Sequence, residues 1–177
     1  MTAFLPLFML LSAVGLALSV ASHLAALTGL PIPGGDLVWG LHIGIFVVAV
    51  PMIVVANRMA RHGKRSEIWK IALSGCPTWA RNALYALVAY AVLNFTLGMI
   101  NKPESPDGSH ALDVTTAVRL FSGHWMVFYA LALAILYSAS RSPRLLQNLN
   151  CIQGHVVGPF DKFCSKCGAV LEQGQPE

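Results

Sequence analysis

LPLFMLLSAVGLALSVASHLAALTGL, Leu5 to Leu30, contains no Lys, Arg, Asp or Glu. At about 1.5 Å rise per residue this run exceeds the roughly 20 residues that a bilayer core requires. It is read as a spanning helix. Three further uncharged runs follow: Leu37 to Ala56, Ala83 to Ile100 and Leu120 to Ala139. None shows the alternation of a barrel strand, and backbone groups cannot stay unpaired in hydrocarbon, so helix is preferred throughout. The whole composition agrees: of 177 residues, 55% are hydrophobic and 11% charged, with a mean hydropathy of +0.61. Soluble domains carry about 25% charged residues, and disordered or coiled-coil chains need far fewer apolar or far more charged ones. The expected fold class is an all-α membrane protein, a four-helix transmembrane bundle with a small C-terminal zinc-ribbon-like tail.

The net charge of +4 is a topology signal more than a nucleic-acid one. Between the second and third runs lie Arg58, Arg61, Lys64, Arg65, Lys70 and Arg81 against the single acid Glu67, and Arg141 and Arg144 follow the fourth run. The other two connections hold Asp36, Glu104, Asp107 and Asp113 against Lys102 and Arg119. Positively charged segments stay inside, which puts both termini in the cytoplasm and the chain in the inner membrane. Trp39 and Trp125 at the outer starts of helices two and four, with Trp69 and Trp79 at the inner approach to helix three, suit two aromatic belts. A cleaved signal peptide is the competing reading of the first run, through the small residues Ser19, Ala21 and Ser22. The run's length and its lack of a basic leading segment favour an anchor.

Pro51 is expected to kink helix two, and Ser66 to Arg81 to lie along the inner interface before helix three, with Pro77 starting or bending it. The connection Asn101 to Asp113 reads as irregular turns. The domain plan is a four-helix domain over 1–140, a linker over 141–149, a zinc-ribbon-like module over 150–172 and a disordered tail over 173–177.

The strongest motif lies in that module. Cys151, His155, Cys164 and Cys167 read C-x3-H-x8-C-x2-C, with Gly168 following. Two short ligand pairs separated by a hairpin are what a tetrahedral structural zinc site needs, because each tight turn presents two ligands to one side of the ion. The stretch resembles the small zinc ribbons at the ends of many bacterial proteins. That resemblance implies one structural zinc held by Cys151, His155, Cys164 and Cys167, with no open position for hydrolysis. A Cys164–Cys167 disulfide is the competing use of the pair, disfavoured on the reducing side of a membrane. Only Lys162 and Lys166 are basic here, with Asp161 and Glu172 close by, so protein contact is expected of the module and nucleic-acid contact is not. Cys76 stands apart as an apolar residue or a lipidation site.

Within the runs, His23, His42 and His124 share one depth near the outer side. Ionisable residues at membrane depth are costly and face the bundle interior, so the three form a haem- or metal-binding hypothesis beside the plainer reading of hydrogen-bonded histidines. Gly40, Gly44 and Gly123 remove bulk around them, which serves close helix packing equally well. Four helices with paired histidines resemble the bacterial cytochrome b561 group. Because the inner half of the runs has no histidine, that resemblance implies at most one outer haem b, ligated by His42 and His124.

Catalytic motifs are absent: no His-Glu-x-x-His, no Gly-x-Ser-x-Gly elbow, no phosphate loop and no carboxylate within the runs. Tyr90 and Asn94, spaced i and i+4, share a face and read first as packing groups. The leading expectation is a non-catalytic scaffold, assembly or regulatory subunit whose tail contacts a protein partner. The alternatives are a haem or metal redox protein and a small channel, which four short helices would need several copies to form.

Overall fold

The computed structural model describes residues 4–61, 65–101, 113–147, 150–158 and 161–171. Among these residues five α-helices stand in the order α1 (Leu5–Thr28), α2 (Gly40–Met59), α3 (Ile68–Ala72), α4 (Thr78–Ile100) and α5 (Val114–Arg141). All but α3 are long and apolar enough to cross a membrane, α2 together with the 3-10 turn Gly35–Trp39 that leads into it. No strand occurs among the described residues. Two isolated antiparallel bridges, Asn150–Val156 and Phe163–Val170, lie in the tail.

On α1 the pattern of burial departs from that of a water-soluble bundle. Its interior residues are mostly small or polar, Ser12, Gly15, Ser19, Ser22, His23, Ala25 and Ala26 besides Leu5, while Leu7, Leu10, Val14 and Leu18 face outward. On α2, Ile43 and Phe46 are likewise 68% and 65% exposed. Water would penalise such a surface, whereas lipid accepts it and lets small residues bring helix backbones together. Ser12 and Ser19 hydroxyls donate to the Phe8 and Gly15 carbonyls of their own helix at 2.7 Å, which pairs both hydroxyls without a partner from another helix.

Helix α5 is the hub: α1, α2, α3 and α4 all pack on it, whereas α1 and α4 scarcely touch one another. Its Trp125, Ala132, Ile135 and Leu136 are fully enclosed. Tyr129 lies between α1 and α2, over Gly15 and Gly44, and its hydroxyl donates to the Leu41 carbonyl at 2.8 Å.

Two apolar runs underestimate their helices. Helix α4 starts at Thr78 and not Ala83, and α5 at Val114 and not Leu120. The hydrophobic signal stops at Arg81 and Arg119, but long basic side chains near a helix end reach the interface without breaking it. Extended backbone at Pro77 sets the start of α4, and Asp113 caps α5 by accepting from the Thr116 N–H at 3.0 Å. This holds the exposed Asp113 carboxyl below its usual pKa.

Trp125 requires a correction. It is no belt residue but wholly enclosed, packed edge-to-face on Trp39 at 5.5 Å. With α5 beginning at Val114 it lies about three turns into the helix and not near its start. Trp69 and Trp79 do remain exposed. Helix α2 runs through Pro51 without interruption, and α3 forms a short segment before Pro77. After α5 the stretch expected as a linker makes a 3-10 turn, Pro143–Leu146. Its Leu145 and Leu146 pack on the bundle core, and the Arg58 Nε–H donates to the Leu146 carbonyl at 3.1 Å. The 102–112 connection and the 173–177 end lie outside the described residues.

Candidate metal centre and the histidines of the bundle

Two turns of the same design build the tail. In the first, the Cys151 N–H donates to the His155 carbonyl at 2.9 Å and the Gly154 N–H donates back to the Cys151 carbonyl at 2.8 Å. In the second, the Cys164 N–H donates to the Ala169 carbonyl at 2.9 Å and the Gly168 N–H to the Cys164 carbonyl at 2.8 Å. Gly154 and Gly168 have φ of 80° and 71°, a region an L side chain resists, so glycine is what closes each turn. A Gly158 N–H to Asp161 carboxylate bond of 2.6 Å lies between the two units. Cys151, Val157 and Cys164 form a small interior, flanked by Cys167, Ala169 and Leu171.

The four ligand atoms lie within 4.8 Å of one another. Cys151 Sγ is 3.6 Å from His155 Nδ1 and 3.7 Å from Cys167 Sγ, and Cys164 Sγ is 3.8 Å from the same nitrogen. With Zn–S near 2.3 Å and Zn–N near 2.0–2.1 Å, a tetrahedron has S–S edges of about 3.8 Å and S–N edges of about 3.6 Å. These three edges match those of a tetrahedral zinc site, and His155 presents Nδ1 to the cluster. Backbone N–H groups of Lys166 and then Cys167 aim at Cys164 and lower its thiol to about 6, favouring the thiolate a metal requires. No cysteine is in a disulfide.

The three intramembrane histidines separate into two sites. Ser122 and His124 are one step of about 3 Å apart along α5 but about 200° around it, so they face different neighbours. His23 meets the first: its Nδ1 is 2.8 Å from the Ser122 hydroxyl and its Nε2 is 2.5 Å from the Tyr90 hydroxyl. It is 3% exposed with both ring nitrogens engaged. His42 meets His124 edge-to-face, centroids 5.3 Å apart and planes at 89°. Phe121 and Trp125 pack on both rings.

This arrangement does not fit the haem or metal that the sequence suggested. The Trp125 indole N–H donates to His42 Nδ1 at 3.0 Å. An indole is a donor only, so Nδ1 must be the acceptor and the neutral ring carries its proton on Nε2, which leaves no lone pair for a metal. Ligating histidines show the opposite pattern, donating through the second nitrogen. Two imidazoles in direct contact also leave no room between them for a macrocycle. Tyr90 and Asn94 do bond to neighbouring helices, Tyr90 to His23 and the Asn94 amide to the Arg119 carbonyl at 3.1 Å. Sequence reasoning missed the Ser122–His23 and Trp125–His42 pairs. They depend on how α5 is turned about its axis, which depth along the helix does not show.

Fold and tail together define a class: a four-helix bundle fit to cross a membrane, followed by a Cys3His cluster that can bind a metal ion such as zinc. No protein-family model, curated protein or solved structure matches the chain.

Proposed function

We propose that the chain is a non-catalytic subunit of the inner membrane, with both termini cytoplasmic, whose tail folds around one structural zinc and presents a surface to a protein partner. The observation that carries this reading is the clustering of the Cys151, His155, Cys164 and Cys167 ligand atoms within 4.8 Å of one another. Four protein ligands complete the coordination of zinc, which suits a structural role. Too few apolar side chains surround the site to fold the tail alone, and structural zinc supplies about 10 to 16 kcal/mol of apparent binding energy in such units. Scaffold, assembly and regulatory roles share this requirement: a rigid module fixed close to the membrane exit of α5. The basic residues clustered at the α2–α4 end support the cytoplasmic assignment.

The test is metal content and orientation together. The purified protein should hold one zinc per chain, and Cys164→Ser with Cys167→Ser should hold none while still inserting in the membrane. A reporter fused after Gln175 should be active only on the cytoplasmic side. Unchanged zinc in the double variant, or periplasmic reporter activity, would refute the corresponding half of the reading.

A further inference from the structure

Because α1 and α4 both pack along α5 and scarcely on each other, an apolar groove of about 530 Å³ remains between them on the basic side of the His23–Tyr90 bond. Its walls include Leu16 of α1, Ala80 and Leu84 of α4, and Ala130, Leu133 and Tyr137 of α5. The alanines create the space, and the lining is almost wholly carbon. Trp79 and Tyr137 stand at the end of the groove where α4 begins and α5 finishes.

That end carries positive charge. Arg81 lies in the first turn of α4, close enough to Cys76, itself a groove residue, for its charge to act on that thiol. Arg141 follows Tyr137 by four residues on α5, hence on the same stripe one turn nearer the membrane surface. Neither α4 nor α5 contains a carboxylate. An apolar slot with guanidinium groups and aromatic rings at its interfacial mouth matches an amphiphile with a hydrocarbon chain and an anionic head.

We propose that this groove binds one acyl chain of an anionic phospholipid from the leaflet on the arginine side, with Arg81 and Arg141 meeting its phosphate. The site is independent of the zinc tail. It rests on the bundle being membrane-embedded, which is checked separately by the protein's need for detergent to leave the membrane fraction. A lipid there would fill the gap between α1 and α4 that protein side chains leave, so it acts as a structural ligand of the bundle.

The experiment is native mass spectrometry of the full-length, zinc-loaded protein in mild detergent, with equimolar phosphatidylglycerol and phosphatidylcholine added. The wild type should retain a single phosphatidylglycerol in preference by about tenfold, the equivalent of roughly 1.4 kcal/mol. Ala83→Phe, which fills the groove from a position outside the core, should abolish the adduct. Arg81→Gln with Arg141→Gln, both at the mouth, should keep lipid binding but lose the headgroup preference. Equal retention of both lipids by the wild type, or an undiminished adduct in Ala83→Phe, would overturn the proposal. So would a dimer in place of the lipid adduct that Ala83→Phe dissociates, which would assign the groove to a second copy of the chain.

Discussion

Tyr129 gives two glycines different reasons to be glycine, and a mutant cycle separates them. A Cβ built on Gly44 collides with the Tyr129 hydroxyl oxygen alone, since the next ring atom, Cζ, stands at an ordinary 3.7 Å. A Cβ built on Gly15 collides with Cε1, Cδ1 and Cζ of the ring itself. Gly44→Ala should therefore cost about 1 to 3 kcal/mol, the range for overpacking in a close-fitted interior. Tyr129→Phe should cost about 0.6 kcal/mol and at most roughly 1.7, as measured for interhelical hydrogen bonds in a membrane, because it removes the bond to the Leu41 carbonyl. Combined, they should not add. With the hydroxyl gone the alanine methyl has room, and its helix propensity returns up to about 1 kcal/mol relative to glycine. The double variant should then be no less stable than Tyr129→Phe alone, giving a favourable coupling of about 1 to 3 kcal/mol. Gly15→Ala should cost the same in either background. The assay is reversible unfolding in mixed dodecyl sulfate micelles, followed by far-ultraviolet circular dichroism. An equal cost of Gly44→Ala with tyrosine or phenylalanine at 129 would refute the packing of α2 on α5 described above.

Two other substitutions report on distinct elements. Tyr90→Phe should destabilise the bundle by about 0.6 to 1.7 kcal/mol, because it leaves the enclosed His23 Nε2 without its partner, and the same micelle titration reads it. Asp113→Ala should cost about 1 kcal/mol through loss of the α5 cap. That carboxyl is held below its usual value, so the stabilisation is present above the ordinary carboxylate pKa of about 3.9 and is lost as pH falls below it. The gap between wild type and variant should therefore close in acid, and a gap independent of pH would assign the effect to something other than the cap.

The bundle was legible in the sequence because lipid imposes length and apolarity on every spanning segment, and the four runs satisfy both. The tail was legible because metal ligands must recur at turn spacing, and Cys151, His155, Cys164 and Cys167 do so. What was hidden depends on helix rotation. Hydropathy does not distinguish the face of α5 that carries Ser122 from the one that carries His124, so one depth was visible and two separate sites were not. Trp125 misled for a related reason. An aromatic residue near the start of an apolar run has the signature of an interfacial anchor, and only the added turns of α5 ahead of Leu120 move it inside.

The placement of polar groups separates the bundle from the tail. A hydrogen-bonding group in hydrocarbon must find a partner, and here His23 takes Ser122 and Tyr90, His42 takes Trp125, Asn94 takes the Arg119 carbonyl, and Tyr129 takes Leu41. Each of these bonds ends on α5 or starts from it, save the one that adds Tyr90 to His23. They fix the rotation of α1, α2 and α4 against the hub, which apolar contact with lipid-like surfaces specifies poorly. A nitrogen spent in this way is withdrawn from coordination. His23 and His42, which looked like ligands by depth, are thus residues that orient the helices, while the tail holds the Cys3His cluster that can bind a metal ion.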